Sequence, residues 1–357
     1  MSAFSSVISY TTAGLCSALL MVSTAASANT IPLQEQVLAD MSMAQANTSN
    51  QQDQKLQQSQ REPMQLKTDT GKIHGVLELP AAAVAKSPVP LAILIAGSGP
   101  TDRNGNNPQM KNNSLKYLAQ ELNTKGIATL RYDKRGVGKS AGAAIKETDL
   151  RFEHFIEDAQ AWVDLLHEDS RFSEIYVIGH SEGALIGAVV AQSPKVDGYV
   201  SLAGAGQPAQ DVLASQLKAQ PKMVWDAAEP VLKALAQGKT VKNPPFMLQA
   251  LFRPSIQPYL ISWFQYDPRT VVQKLAQMHK PVLIMQGDQD IQVSVKDAQN
   301  LAKANPEAKL VIMPGMNHIF KAVPAGDRNA NIASYNQPDT PLISGLSTQI
   351  SQFILKK

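Results

Sequence analysis

Ile175-Tyr176-Val177-Ile178-Gly179-His180-Ser181-Glu182-Gly183 is the stretch whose reading decides the fold. Its first four residues are β-branched or aromatic, as suits a buried strand, and they run without a break into Gly-x-Ser-x-Gly. A serine hydroxyl is a poor nucleophile in water. To react it must be held exposed at the end of a rigid element, near a base and near donors that can stabilise an oxyanion. A strand ending in a sharp turn is such a mount. Gly179 and Gly183 lack a Cβ, so strand and following helix can approach closely while Ser181 takes up the strained backbone the turn demands.

The pattern on either side predicts a sheet that contains this strand. Upstream, Phe152, Phe155, Ile156, Ala159, Val163 and Leu166 fall on one face of a helix leading into it. Downstream, residues 184–190 read as a helix stopped at Ser193-Pro194, and residues 196–202 as the next strand. Further upstream, residues 91–95 are a continuous apolar run of the kind expected of a strand buried on both faces. It ends in Ala96-Gly97-Ser98-Gly99-Pro100. Leu115, Leu118 and Leu122 have helical spacing, and residues 127–132 are a strand ending at Asp133-Lys134-Arg135-Gly136. Residues 64–79, with Thr68-Asp69-Thr70-Gly71 at the centre, read as an edge hairpin. Strand alternating with helix argues for a mostly parallel sheet with right-handed crossovers.

That alternation breaks over about residues 207–266, too long for an ordinary connection. The aromatics and prolines there (Trp225, Phe246, Phe252, Tyr259, Trp263, Phe264) predict an inserted helical cap, most of whose aromatics form its own core. The sheet resumes with residues 281–285, a helix whose Ser294-x-x-Asp297 is a capping box, and a strand over residues 309–313. A terminal helix is expected to begin at Thr340-Pro341 and to bury Leu342, Leu346, Ile350 and Phe353.

In an open parallel sheet, functional groups collect at the carboxyl ends of the strands. Of the six histidines, His318 alone lies just past the end of a late strand. His154 and His167 belong to a surface helix, His279 precedes its strand, and His74 is in the edge hairpin. His180 neighbours Ser181, but adjacent strand residues point to opposite faces. His318 is therefore the expected general base. The acid should follow another strand end, where Gly287-Asp288-Gln289-Asp290 supplies two carboxylates. Asp290 is favoured because a turn after Gly287 can aim it at the histidine loop, while Asp288 suits a turn or capping role.

With Ser181, Asp290 and His318 in that chain order, and with Arg131-Tyr132-Asp133-x-Arg135-Gly136-x-Gly138-x-Ser140 and Gly315-x-x-His318 beside them, the chain resembles the α/β-hydrolase superfamily. The likeness is to its capped serine esterases and serine-aminopeptidase-like branch. It spans essentially residues 64–357. The resemblance implies an α/β-hydrolase fold, with helices on both faces of the sheet and a helical cap. It also implies an oxyanion hole made by the N–H of Glu182 and an N–H from the Gly97-Ser98-Gly99 loop, with Ser98 favoured. Many relatives carry a histidine before the glycine of that loop where this chain has Ala96. Asp133 and Arg135 are read as scaffold, and Asp102 and Arg103 as residues shaping the pocket entrance.

The expected activity is hydrolysis of carboxylic esters of small to medium acyl chain through an acyl-enzyme. Peptidase, thioesterase and lactonase chemistry are alternatives on the same residues, and an inactive hydrolase-fold binder is another. No cofactor and no metal is expected, because the histidines are scattered and no cysteine ligand is available. Gly138-Lys139-Ser140 resembles the end of a phosphate loop, but Asp133 stands where that loop needs glycine and the helix is delayed to about residue 150. A net charge of +3 without a basic stripe argues against nucleic acid as a partner and leaves a small-molecule ester.

Residues 1–28 carry an apolar run ending in Ala26-Ser27-Ala28, the small-x-small pattern of a signal-peptidase site. They read as a signal peptide cleaved after Ala28, although no Lys or Arg precedes the run. Cys16, the one cysteine, lies in this leader, so the mature chain would have no thiol, in keeping with a periplasmic or secreted protein. It would also have no membrane span. Residues 29–62, rich in Gln, Asn, Ser and Ala, read as a linker, which makes residues 63–357 the folded domain.

Overall fold

A computed structural model of the chain describes residues 60–80, 83 and 87–356. The signal-peptide reading and most of the linker reading lie outside the described residues.

Eight strands form one sheet: β1 (Gln60–Lys67), β2 (Lys72–Leu79), β3 (Val89–Ile95), β4 (Ala128–Tyr132), β5 (Phe172–His180), β6 (Gly198–Leu202), β7 (Val282–Gly287) and β8 (Lys309–Met313). Their spatial order is β1-β2-β4-β3-β5-β6-β7-β8. The β1–β2 hairpin lies at one edge and joins β4 antiparallel, while every pairing from β4 to β8 is parallel. The hairpin brings Gln60, Arg61 and Glu62, read above as the end of the linker, into the sheet. The strand that leads into Ser181 is thus central, with β3 on one side and β6 on the other. This explains why residues 175–180 are buried without alternation.

Helices cover both faces. Against one lie α1 (Ser114–Thr124) and the terminal helix α11 (Leu346–Ile354), whose Leu115, Leu118, Leu122, Leu346 and Ile350 pack on Leu94, Ile178 and Leu283. Against the other lie α2 (Phe152–His167), α3 (Glu182–Val190), α8 (Pro268–Gln277) and α9 (Val295–Ala304), contributing Trp162, Ile186, Leu275 and Leu301 to a second core. The Ser294–Asp297 capping box that opens α9 is present in full.

Between β6 and α8 the chain leaves the sheet as α4 (Ala209–Lys218), α5 (Lys222–Ala236), α6 (Gln249–Phe252) and α7 (Gln257–Trp263). This is the helical insertion that residues 207–266 predict. Phe252, Tyr259, Trp263 and Phe264 are buried, and all four belong to the core shared with α2. Phe246 is instead 94 % exposed.

The terminal helix departs from expectation. It begins at Leu346, after Gly345 at φ 88°, and not at Thr340-Pro341. The Ile343 amide donates to the Phe320 carbonyl at 2.8 Å, and the Lys321 ammonium donates to the Thr340 carbonyl. These bonds draw residues 340–343 along the loop that follows β8 and compete with helix initiation at the proline. The short helix α10 (Arg328–Ser334), with Asp327 capping the Ala330 amide, fills the span between β8 and this segment and escaped the sequence reading.

The turn after β5 leaves no room for a side chain at either of its glycines. A Cβ on Gly179 would lie 2.1 Å from the Gly183 carbonyl oxygen, and one on Gly183 would lie 2.4 Å from that of Ile95. Both are far inside van der Waals contact with backbone that cannot rotate away. Gly179→Ala is expected to cost about 3 kcal/mol or more and to lower the midpoint of thermal unfolding by on the order of 10 °C, if the variant folds at all. Differential scanning fluorimetry against the wild type checks this.

Candidate active site

Ser181 sits between the last residue of β5 and the first of α3, with φ 55° and ψ −119°. Such a backbone is costly for a residue with a Cβ and is held by its surroundings. The Ser181 amide donates to the Leu202 carbonyl at 3.0 Å, and its carbonyl accepts from the Ala184 amide at 2.9 Å. Its side chain is thereby turned out of the sheet into a cavity beneath the insertion. Ser98 and Glu182 line the same cavity, and Leu185, Val212, Leu213 and Trp263 give it apolar walls roofed by the cap.

The Ser98 and Glu182 amides fit the oxyanion-donor expectation. Neither is spent on a hydrogen bond among the described residues. Glu182 opens α3, and the first N–H groups of a helix have no intrahelical acceptor. The Ser98 loop leans on the nucleophile turn, since a Cβ on Gly97 would lie 3.2 Å from Ser181 Cβ. Thr101 Oγ1 donates to the Ser98 carbonyl at 2.8 Å and holds that turn closed.

His318 and Asp290 meet from two different loops. His318 Nδ1 lies 2.7 Å from Asp290 Oδ2, and both side chains are almost wholly buried. The carboxylate also accepts from Gln286 Nε2 at 2.9 Å and from the amides of Gln292 and Val293 at 2.7 and 2.9 Å. Burial alone would raise its pKa, but the imidazole and these donors outweigh burial and hold it below the usual carboxylate value. Asp290 is therefore the carboxylate that faces the histidine. Asp288 takes the turn role expected of it, accepting from the Gly315 amide at 2.7 Å at the start of the histidine loop. Ser181 Oγ itself makes no hydrogen bond with any described residue; nucleophile–base contacts often close only when substrate arrives.

Three supporting residues were not singled out as functional from the sequence. His180 Nε2 lies 2.9 Å from the His318 carbonyl oxygen, and its ring is 4.8 Å from that of His318 and 4.8 Å from Phe320. Since a carbonyl only accepts, Nε2 carries the proton. Burial, then the neighbouring His318, pushes the His180 pKa down to about 3, so the ring is neutral. Lys134 and Tyr259 converge on Glu182: Lys134 Nζ donates to Oε1 at 3.0 Å and the Tyr259 hydroxyl to Oε2 at 2.7 Å. Lys134 directly follows Asp133 at the carboxyl end of a strand, a position that the strand-end rule marks. No sequence signal identifies Tyr259 among the cap aromatics.

The remaining candidates are structural. Asp133 accepts from the backbone and guanidinium of Arg103 and from the Lys139 amide, and Arg135 pairs with Asp158. Arg103 is thus buried in the scaffold, and Asp102 closes a turn through the amides of Asn104 and Asn106. Neither lines the cavity at Ser181, which corrects their assignment to its entrance. Gly138, Lys139 and Ser140 form a 3₁₀ turn in which Ser140 Oγ donates to the Asp133 carbonyl and accepts from the His74 amide.

Residues 111–320 match the family described as serine aminopeptidase, S33. Among curated proteins the chain is similar to esterase EstD of Thermotoga maritima, 31 % identical over 240 residues covering 65 % of this chain and 55 % of that protein. It is also similar to the monoacylglycerol lipase of Mycolicibacterium smegmatis, 24 % identical over 225 residues covering 57 % of this chain and 75 % of that one. The chain thus spans little more than half the length of EstD. Among solved structures, Est1E from Butyrivibrio proteoclasticus superposes with a TM-score of 0.52 at 20 % identity, over 82 % of this chain and 98 % of that one, a likeness of fold.

His180 gives the site a pH signature. Its folded pKa lies below its unfolded value, so the stability it contributes is present above pH 6.5. As pH falls from 6.5 towards 3 the unfolded chain takes up a proton that the native state refuses. This one residue adds a slope of up to about 1.4 kcal/mol per pH unit in that window. His180→Gln, which keeps a donor for the His318 carbonyl and does not titrate, is expected to show a smaller loss of thermal midpoint between pH 6.5 and 4 than the wild type.

Proposed function

The chain belongs to the serine aminopeptidase S33 family of the α/β-hydrolase superfamily, and from that membership and the geometry around Ser181 we propose that it cleaves carboxylic esters of small to medium acyl chain through an acyl-enzyme. The observation that carries the proposal is the buried 2.7 Å contact between Asp290 and His318 in a chain whose serine stands on a strained strand-to-helix turn.

In this reading Ser181 Oγ attacks the ester carbonyl while His318 Nε2 takes its proton. Asp290, kept ionised by its donors, holds the tautomer with the proton on Nδ1 and stabilises the imidazolium. The negative charge that develops on the carbonyl oxygen is met by the N–H groups of Ser98 and Glu182, each worth about 3 kcal/mol in the transition state. His318 then gives its proton to the departing alkoxide, leaving acyl-Ser181 and free alcohol. Water, deprotonated by the same imidazole, attacks the acyl carbon, and collapse of the second oxyanion releases the acid and restores Ser181.

The cavity's character supports an ester over a peptide with a free amino terminus. Its walls are mostly apolar, and the one carboxylate that lines it, Glu182, already holds Lys134 and Tyr259, so no unengaged negative charge awaits an ammonium group. Two relatives named as an esterase and a lipase weigh the same way.

Turnover of a p-nitrophenyl ester series is expected to favour acyl chains short enough for the capped cavity. Ser181→Ala is expected to lose at least ~10³-fold in kcat while keeping its thermal midpoint. A serine-directed fluorophosphonate is expected to label Ser181 in the wild type only, read by intact-mass analysis. Turnover of aminoacyl anilides without ester turnover would overturn the ester assignment, and absence of labelling would overturn the nucleophile.

A further inference from the structure

We infer that Lys134 is a positioning residue for the oxyanion hole, its buried ammonium orienting and polarising the Gly97–Ser98 peptide while the carboxylate of Glu182 and the cap hydroxyl of Tyr259 hold it in place. The inference rests on the serine-hydrolase reading and assigns a role to a residue that the reading leaves unused.

Lys134 Nζ donates to the Gly97 carbonyl oxygen at 2.6 Å and to Glu182 Oε1 at 3.0 Å. Its third side faces the Phe155 ring, with Nζ 5.0 Å from the centroid. The side chains of Lys134 and Glu182 are each 2 % exposed, so water does not compete for these bonds. The Gly97 carbonyl belongs to the same peptide unit as the Ser98 amide. In a planar trans peptide the C=O and N–H vectors point in opposite directions. A cation fixed on the oxygen side therefore aims the N–H away from itself. It also draws electron density toward that oxygen, making the amide hydrogen a stronger donor. The Ser98 N–H is one of the two donors proposed above, and Glu182 carries the other. One ion pair thus spans the residues of both.

The energetics favour this role over a purely stabilising one. Taking an ammonium and a carboxylate out of water costs several kcal/mol per ion, and a buried ion pair often adds no net stability over well-packed apolar residues. Lys134 does not lie at random in the core, however. Every strong contact it makes is to a group within one residue of Ser181 or to the loop that leans on it. Tyr259 completes the set. Burial, then the adjacent Glu182, pushes its hydroxyl pKa well above the ordinary value, so it stays protonated and donates to Oε2.

The test compares wild type, Lys134→Met and the double variant Lys134→Met with Glu182→Gln, which removes both buried charges together and leaves Tyr259 an acceptor. Three quantities are read: p-nitrophenyl ester kinetics, the rate constant of fluorophosphonate labelling, and the affinity of an alkylboronic acid, whose tetrahedral adduct places an oxygen in the hole. The expected result for the double variant is a thermal midpoint close to that of the wild type. Its kcat and labelling rate are expected to fall about 30-fold, boronate affinity to weaken by a similar factor, and KM to stay within about twofold. A folded double variant with kcat, labelling and boronate affinity within about threefold of wild type would overturn the inference. So would a loss confined to KM. A wild type that the fluorophosphonate does not label would instead overturn the serine-hydrolase reading itself. Lys134→Met alone is expected to be the less stable of the two, because it strands the Glu182 carboxylate.

Discussion

Two pieces of backbone in this molecule touch with no room for a methyl group between them. Gly183, at the start of α3, lies against the carbonyl of Ile95 at the end of β3, and Gly179 lies against Gly183. Everything at the site depends on that approach. It forces Ser181 into a left-handed backbone and brings the Gly97-Ser98-Gly99 loop beside the nucleophile turn. It also starts a helix immediately after the serine, at Glu182, whose amide has no intrahelical acceptor. A single carbon at either glycine would separate the elements, and the serine would lose both its orientation and its neighbours.

Around this contact the protein arranges buried polar groups so that each charge has a defined partner. Asp290 accepts from three donors besides the one histidine it faces. His180 spends its proton on the main chain of His318, so the strand that leads into Ser181 and the histidine loop are joined by a bond outside the Asp290–His318 contact. Asn317 ties the same loop through its own side chain, accepting from the Ile319 and Lys321 amides while donating to Ser334. The loop that carries His318 is thus held at its main chain by His180 and Asn317, and the imidazole itself by Asp290.

Much of this arrangement is legible in the sequence. Continuous apolar runs marked the central strands, because a strand buried on both faces cannot alternate. Glycine spacing marked the elbow, because only glycine tolerates that approach. The rule that groups collect at strand carboxyl ends was enough to select His318 from six histidines and Asp290 from two neighbouring carboxylates. What escaped was tertiary. The Thr340-Pro341 signal for a helix start is locally sound, yet Lys321 and Phe320 claim the backbone there and delay the helix to Leu346. Arg103 looked like a pocket residue because its strand-end loop is near the site, but its charge is absorbed by Asp133. The contacts of His180 with His318 and Phe320 cannot be read from a period-two argument that says where a side chain points and nothing of what it meets. Tyr259 is one aromatic among several in the insertion, and no local pattern separates the one that reaches Glu182 from those that fill the cap.

The reach of Tyr259 makes the cap more than a roof. Its helix contributes a hydrogen bond to a carboxylate whose other oxygen holds the lysine that donates to the Gly97 carbonyl. The insertion is therefore not a freely exchangeable module. A chimera that grafts a foreign cap onto this sheet to change its selectivity would have to supply a hydroxyl at the same point in space. Under the function proposed above, a graft without one would shift preference and weaken turnover in the same stroke.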